Sequence, residues 1–117
     1  ACTERDPTAW FCDEVLVEGR WLAAEAAVFT GRDATIAVAE ARAAARKMLK
    51  MVGTERETQI VAASIELVAA HDLHARHQSP LPALDAARRE IAAAARVDPR
   101  DAESWTIAAE VELAPLM

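Results

Sequence analysis

The chain has no tyrosine, only three glycines, and aromatic residues at just 4% of its 117 positions. No stretch alternates polar and apolar residues for long enough to read as a half-buried strand. Cysteine is nearly absent too. Cys2 and Cys12 match no zinc spacing such as Cys-x-x-Cys. A disulfide between them would need an oxidising compartment, and two independent thiols are expected instead. There is no basic surplus: 13 Lys and Arg face 19 Asp and Glu, a net charge of −6. That excludes nucleic acid, because nothing is left over to neutralise phosphates. No apolar run approaches the ~18 residues of a membrane span, so no membrane partner is expected. No signal peptide is recognisable, and the chain starts at Ala rather than Met. It is therefore expected to be a mature product or a fragment of something longer, soluble, and cytoplasmic rather than periplasmic.

Catalytic patterns are missing as well. There is no Gly-rich phosphate loop, no His-Arg-Asp, no Asp-Phe-Gly, and no Ser-His-Asp or Cys-His arrangement. No enzyme activity, no cofactor and no metal are expected of these residues.

What is present is helix-forming sequence. The apolar fraction is 53%, with alanine its largest share, and the length suits one domain. Residues 1–6 read as a tail and 7–117 as a helical domain. The first helix covers about 8–30, with Trp10, Val17, Trp21, Ala24 and Val28 at three- and four-residue spacing. Gly19 either weakens it by ~1 kcal/mol relative to alanine or marks a close helix contact. Gly31 suits a left-handed C-cap. Asp33 or Thr35 caps a second helix, whose inward stripe is Val38, Ala41, Ala45, Met48, Leu49 and Val52. Gly53 ends it, and Thr54 to Glu57 form a capping box for a third. The third helix carries Ile60, Val61, Ser64, Leu67, Val68 and His71 on one side. Ser79-Pro80 turns the chain into a fourth, about 81–97. Asp98-Pro99 opens a fifth, which Pro115 stops.

Shifting the chain by 46 positions lays Val38 on Leu84, Ala41 on Ala87 and Arg42 on Arg88. Each unit is then a helix pair that cannot bury its apolar faces alone, so the pairs must stack. Units of about 7–52 and 54–98 are followed by a partial unit, 99–114. Its lone helix is expected to leave Val111 and Leu113 uncovered and to offer a homodimer contact through 100–114.

Ala87, Ile91, Ala94 and Pro99, followed by Trp105, resemble the small–large–small–Pro order of tetratricopeptide repeats. The phrases Gly31-Arg-Asp-Ala-Thr and Gln78-Ser-Pro-Leu-Pro-Ala-Leu resemble divergent repeats in the helical tails of bacterial eukaryotic-like serine/threonine kinases. The period departs from the usual value of about 34, and also fits HEAT or armadillo arrays. The resemblance implies an all-α, right-handed stack of antiparallel helix pairs, a tetratricopeptide-like α-solenoid of five helices. It also implies a non-catalytic interaction or scaffold module of a larger bacterial signalling protein. In such a stack the first helix of each pair lines a concave face. The partner-binding residues expected there are Glu14, Glu18, Trp21, Ser64, Thr106 and Glu110. Their acidity suits a basic protein or peptide partner. Trp21 and Trp105 are expected to pack between pairs, or to anchor a peptide.

A second reading centres on His71. His71, His74 and His77 sit three apart, and two of them with Asp72 could share a metal. His71-Asp72-Leu73 followed by Ser79-Pro80-Leu81 also resembles the phosphoacceptor box of sensor histidine kinases, with about four extra residues intervening. That alternative is a phosphotransfer or metal-binding helical bundle.

Overall fold

Among the described residues the chain forms five helices, and the turns after α1 and α3 fall where the sequence punctuation puts them. The computed structural model of the protein describes residues 10–52, 56–97, 100 and 102–113, with side chains over 15–50, 59–96, 100 and 105–112. The helices are α1 (Trp10–Phe29), α2 (Thr35–Val52), α3 (Arg56–Ala75), α4 (Leu81–Val97) and α5 (Ala102–Leu113), and no strand occurs among the described residues. The cysteine pairing, the Gly53 stop, the Thr54 capping box, Asp98-Pro99 and Pro115 lie outside the described residues. So do the side chain of Val52 and that of Leu113.

α1 and α3 both end in the same hydrogen-bonded C-cap. In the first, Arg32 N–H donates to Ala27 C=O at 2.8 Å and Gly31 N–H to Val28 C=O at 3.1 Å. In the second, Gln78 N–H donates to Leu73 C=O at 2.8 Å and His77 N–H to His74 C=O at 3.0 Å. This cap needs one left-handed residue. Gly31 supplies it at φ 71°, as expected, and His77 supplies it at φ 58°.

Helix starts are also matched. Asp33 Oδ1 accepts the Thr35 N–H at 2.9 Å and the Thr35 hydroxyl at 2.6 Å, so Asp33 rather than Thr35 is the capping side chain. Those two bonds hold the Asp33 carboxyl below its ordinary pKa, the hydroxyl contributing more. At α4, Ser79 Oγ accepts the Leu81 N–H at 3.4 Å.

The 46-residue shift recurs in local features of the structure. Phe29 and Ala75, the last residues of α1 and α3, stand 46 positions apart, and so do Thr35 and Leu81, the first residues of α2 and α4. So do the two left-handed residues, Gly31 and His77. The ion pairs between elements repeat at the same interval. Arg42 Nε meets Glu66 Oε1 at 2.7 Å, and Arg88 Nε meets Glu112 Oε1 at 2.9 Å. Buried positions follow: Val38 with Leu84, and Ala41 with Ala87.

α1 packs on α2, and α3 on α4. α3 also touches α1, α2 and α5, while α5 rests on α4 and α3. This central place explains why α3 is buried nearly all round: Gln59, Ala62, Ala63, Ile65, Ala69, Ala70 and Asp72 are buried as well as Ile60, Ser64, Leu67 and Val68 of the stripe read from sequence. Small residues set the spacing on α4, where Ala87 and Ala94 are fully buried on either side of Ile91. Full burial of Ile65 or Leu84 contributes about 2 kcal/mol each from apolar area alone.

Three expectations change. Val111 is 1% exposed, because α5 lies against α4 and Val111 joins a cluster with Leu84 and Ala87. Trp105 is 64% exposed and is not core. Gly19 is no close contact: a Cβ built there meets nothing within 4 Å.

Candidate functional site

The first helices of the units, α1, α3 and α5, enclose a cleft of about 640 Å³. Along α1 it runs from Glu18 to Phe29, and along α3 from Ile60 to His71. At 1.5 Å per residue each wall is about 16 Å long, roughly three helical turns. On α1 the lining residues Glu18, Trp21, Glu25 and Val28 recur at spacings of three, four and three, one face of a helix. α3 forms the apolar floor with Ile60, Val61, Leu67 and Val68, together with Ser64 and His71. α5 closes the far side with Ile107 and Glu110.

Four of the six residues read from sequence therefore meet at one cleft: Glu18, Trp21, Ser64 and Glu110. Ser64 is buried, and its hydroxyl donates to the Ile60 carbonyl at 3.0 Å, so it belongs to the floor as a satisfied group. Thr106 is exposed and not part of the wall, because it sits one residue, about 100° of helix rotation, away from Ile107. The Glu14 side chain lies outside the described residues. Glu25, Val28, Phe29 and Ile107 complete the cleft, Val28 belonging to the α1 stripe read from the sequence.

The charge of the cleft is of one sign. Glu18, Glu25 and Glu110 line it, no lysine or arginine does, and none of the three makes an ion pair among the described residues. Carboxylates around an apolar floor raise the local concentration of cationic segments. Trp21 puts its ring in the wall, while its indole N–H is buried without a hydrogen-bond acceptor.

No protein-family model matches this chain, no curated protein matches its sequence, and no solved structure matches its fold.

The histidine cluster does not assemble. His71 is half-buried in the cleft, while His74 and His77 are exposed. Among the described residues no group of three His, Cys, Asp or Glu is placed to hold a metal. Asp72, which the phosphotransfer reading would use as the acid beside His71, is engaged elsewhere. It is 4% exposed, accepts the Ala34 N–H at 3.3 Å, and pairs with Arg76 at 2.6 Å. Its carboxylate ties the α3 C-terminus to the start of α2.

A second depression, of about 380 Å³, lies between α2, α3 and α4. Arg42 spans Glu66 there with two bonds of 2.7 Å each. Burial, and then repulsion from Glu66, raise the pKa of the neighbouring Glu90 above the ordinary carboxyl range. This is the repeated inter-unit ion pair with a crowded neighbour, and it has no convergent groups for chemistry.

Proposed function

We propose that the chain is a non-catalytic interaction module whose α1–α3–α5 cleft receives a basic amphipathic helix from a protein partner. The observation that carries this is the cleft itself: three turns long, apolar along its floor, and lined by three carboxylates that make no ion pair among the described residues. Helix-in-groove recognition uses such an apolar trough for anchoring, and complementary charge sets orientation and speeds arrival. In this reading the helix pairs form a tetratricopeptide-like right-handed stack. The 46-residue recurrence of caps, left-handed residues and ion pairs supports it. The overall dimensions of 42 × 34 × 19 Å, about two helix diameters in the thinnest direction, are in keeping with it. The wider setting we propose is a soluble scaffold region of a bacterial signalling protein such as a serine/threonine kinase.

The test is fluorescence anisotropy with a labelled amphipathic helical peptide bearing lysines beside a leucine stripe. Binding should weaken as salt rises. Glu18→Lys and Glu110→Lys should each weaken it by roughly tenfold with melting temperature unchanged. Binding that is indifferent to both reversals would remove the cleft from the account.

A further inference from the structure

α1 has a second apolar face, and the core does not use it. Val15, Gly19, Leu22, Ala26 and Phe29 recur at spacings of four, three, four and three, the seam spacing of paired helices. All five are exposed, with Val15 at 60%, Leu22 at 55% and Phe29 at 81%. A helix apolar on both sides is one that is covered on both sides.

The repeat identifies what kind of surface this is. Forty-six positions on, Gly19 becomes Ile65 and Leu22 becomes Val68, which are 1% and 6% exposed. Ile65 packs there on Val17, Ala41, Ala45 and Met48 of the preceding helix pair. The middle of the outer stripe, Gly19 and Leu22, is thus in the register that is covered in α3.

Charge argues against one more unit of the same kind as that neighbour. In α3 and α5 this face is bordered by Glu66 and Glu112, each paired with an arginine of the preceding helix. The equivalent residue in α1 is Arg20, already paired with Glu40 of α2 at 2.7 Å. A preceding unit would bring its arginine against Arg20. A second copy of α1 brings none there. With the two helices parallel, each seam residue meets itself, and the flanking Glu18 and Glu25 face the partner's Ala23 and Thr30 positions. An antiparallel pair would set these glutamates against one another.

We propose that this outer face of α1 is the interface of a parallel homodimer, with Leu22 against its own copy and Gly19 letting the two backbones approach. The interface lies to the side of Trp21 and Val28 but takes in Phe29 at the rim of the acidic cleft and is flanked by Glu18 and Glu25, so dimer and cleft share one edge of α1.

Sedimentation equilibrium of the full chain tests it. The mass should be twice 12.6 kDa. Leu22→Glu, at an exposed position, should give a monomer with unchanged circular dichroism, and Trp105→Glu should leave the dimer intact. With both native cysteines changed to serine, Leu22→Cys should oxidise to a covalent dimer. A wild-type chain that stays monomeric to millimolar concentration overturns the proposal. So does a dimer that survives Leu22→Glu or is lost with Trp105→Glu. Failure of Leu22→Cys to cross-link overturns the parallel arrangement.

Discussion

His77 holds a conformation that its 46-residue counterpart holds as glycine, so His77→Gly should stabilise the protein. At φ 58° a side chain costs roughly 1–2 kcal/mol relative to right-handed backbone, toward the low end for histidine. Glycine removes that strain but loses roughly 0.5–1 kcal/mol more backbone entropy on folding. The net gain is about 0.5 kcal/mol, up to ~1 kcal/mol. For a domain of this size that is a rise of roughly 2–5 °C in melting temperature. Both cap hydrogen bonds are backbone bonds and survive the change. Both proteins are compared at one pH, about 8. The reciprocal change, Gly31→Ala, imposes the strain instead and should cost about 1 kcal/mol. Thermal unfolding followed by circular dichroism reads both. A His77→Gly protein no more stable than the parent at that pH, or a Gly31→Ala protein that loses nothing, would refute the reasoning.

Ile65→Ala opens a cavity between α3 and the α1–α2 pair and should cost about 2–4 kcal/mol in urea unfolding, because Ile65 is fully buried. Asp72→Ala leaves the buried Ala34 N–H without an acceptor and removes the Arg76 pair; a loss of about 1–3 kcal/mol is expected, with denaturation midpoints as the check. For Glu90 the sign runs opposite to that of an ion-paired acid. Its folded pKa is raised, so its charge opposes folding above that pKa, and the penalty disappears as pH falls below the unfolded value. Glu90→Gln should therefore stabilise at neutral pH and lose its advantage in acid, seen as converging melting temperatures. Asp33 behaves conversely: its lowered pKa gives stability present above the unfolded value and lost as pH falls through the folded one. Asp33→Ala should thus lower the melting temperature at neutral pH, and the deficit should vanish in strong acid.

The helix limits were legible because their causes are local. Gly31, Asp33 and Ser79-Pro80 act within a few residues of themselves, and the α2 stripe Val38, Ala41, Ala45 and Met48 stands out against the exposed opposite face of the same helix. α3 was only half legible. Periodicity reveals a buried face when the opposite face is polar, and Ala62, Ala63, Ile65 and Ala69 leave α3 with little polar contrast. Val111 was misjudged for a related reason: its burial depends on α4, which no pattern within α5 announces. Most of the cleft was legible once the first helices were set side by side, whereas the phase of α5 decided between Thr106 and Ile107. Asp72 was hidden because its partner Ala34 stands 38 positions away. The outer seam of α1 is plain in the spacing of Val15, Gly19, Leu22, Ala26 and Phe29, but only the fold shows that the core leaves it free.

An experimental backbone structure, by crystallography or by solution NMR with residual dipolar couplings, tests the central claim most directly. Residues 10–52 should superimpose on 56–97 as hairpins of the same hand, with Gly31 over His77 and Arg42 over Arg88, and α1, α3 and α5 side by side along one groove. Hairpins of opposite hand, or first helices dispersed around a closed bundle, would contradict it.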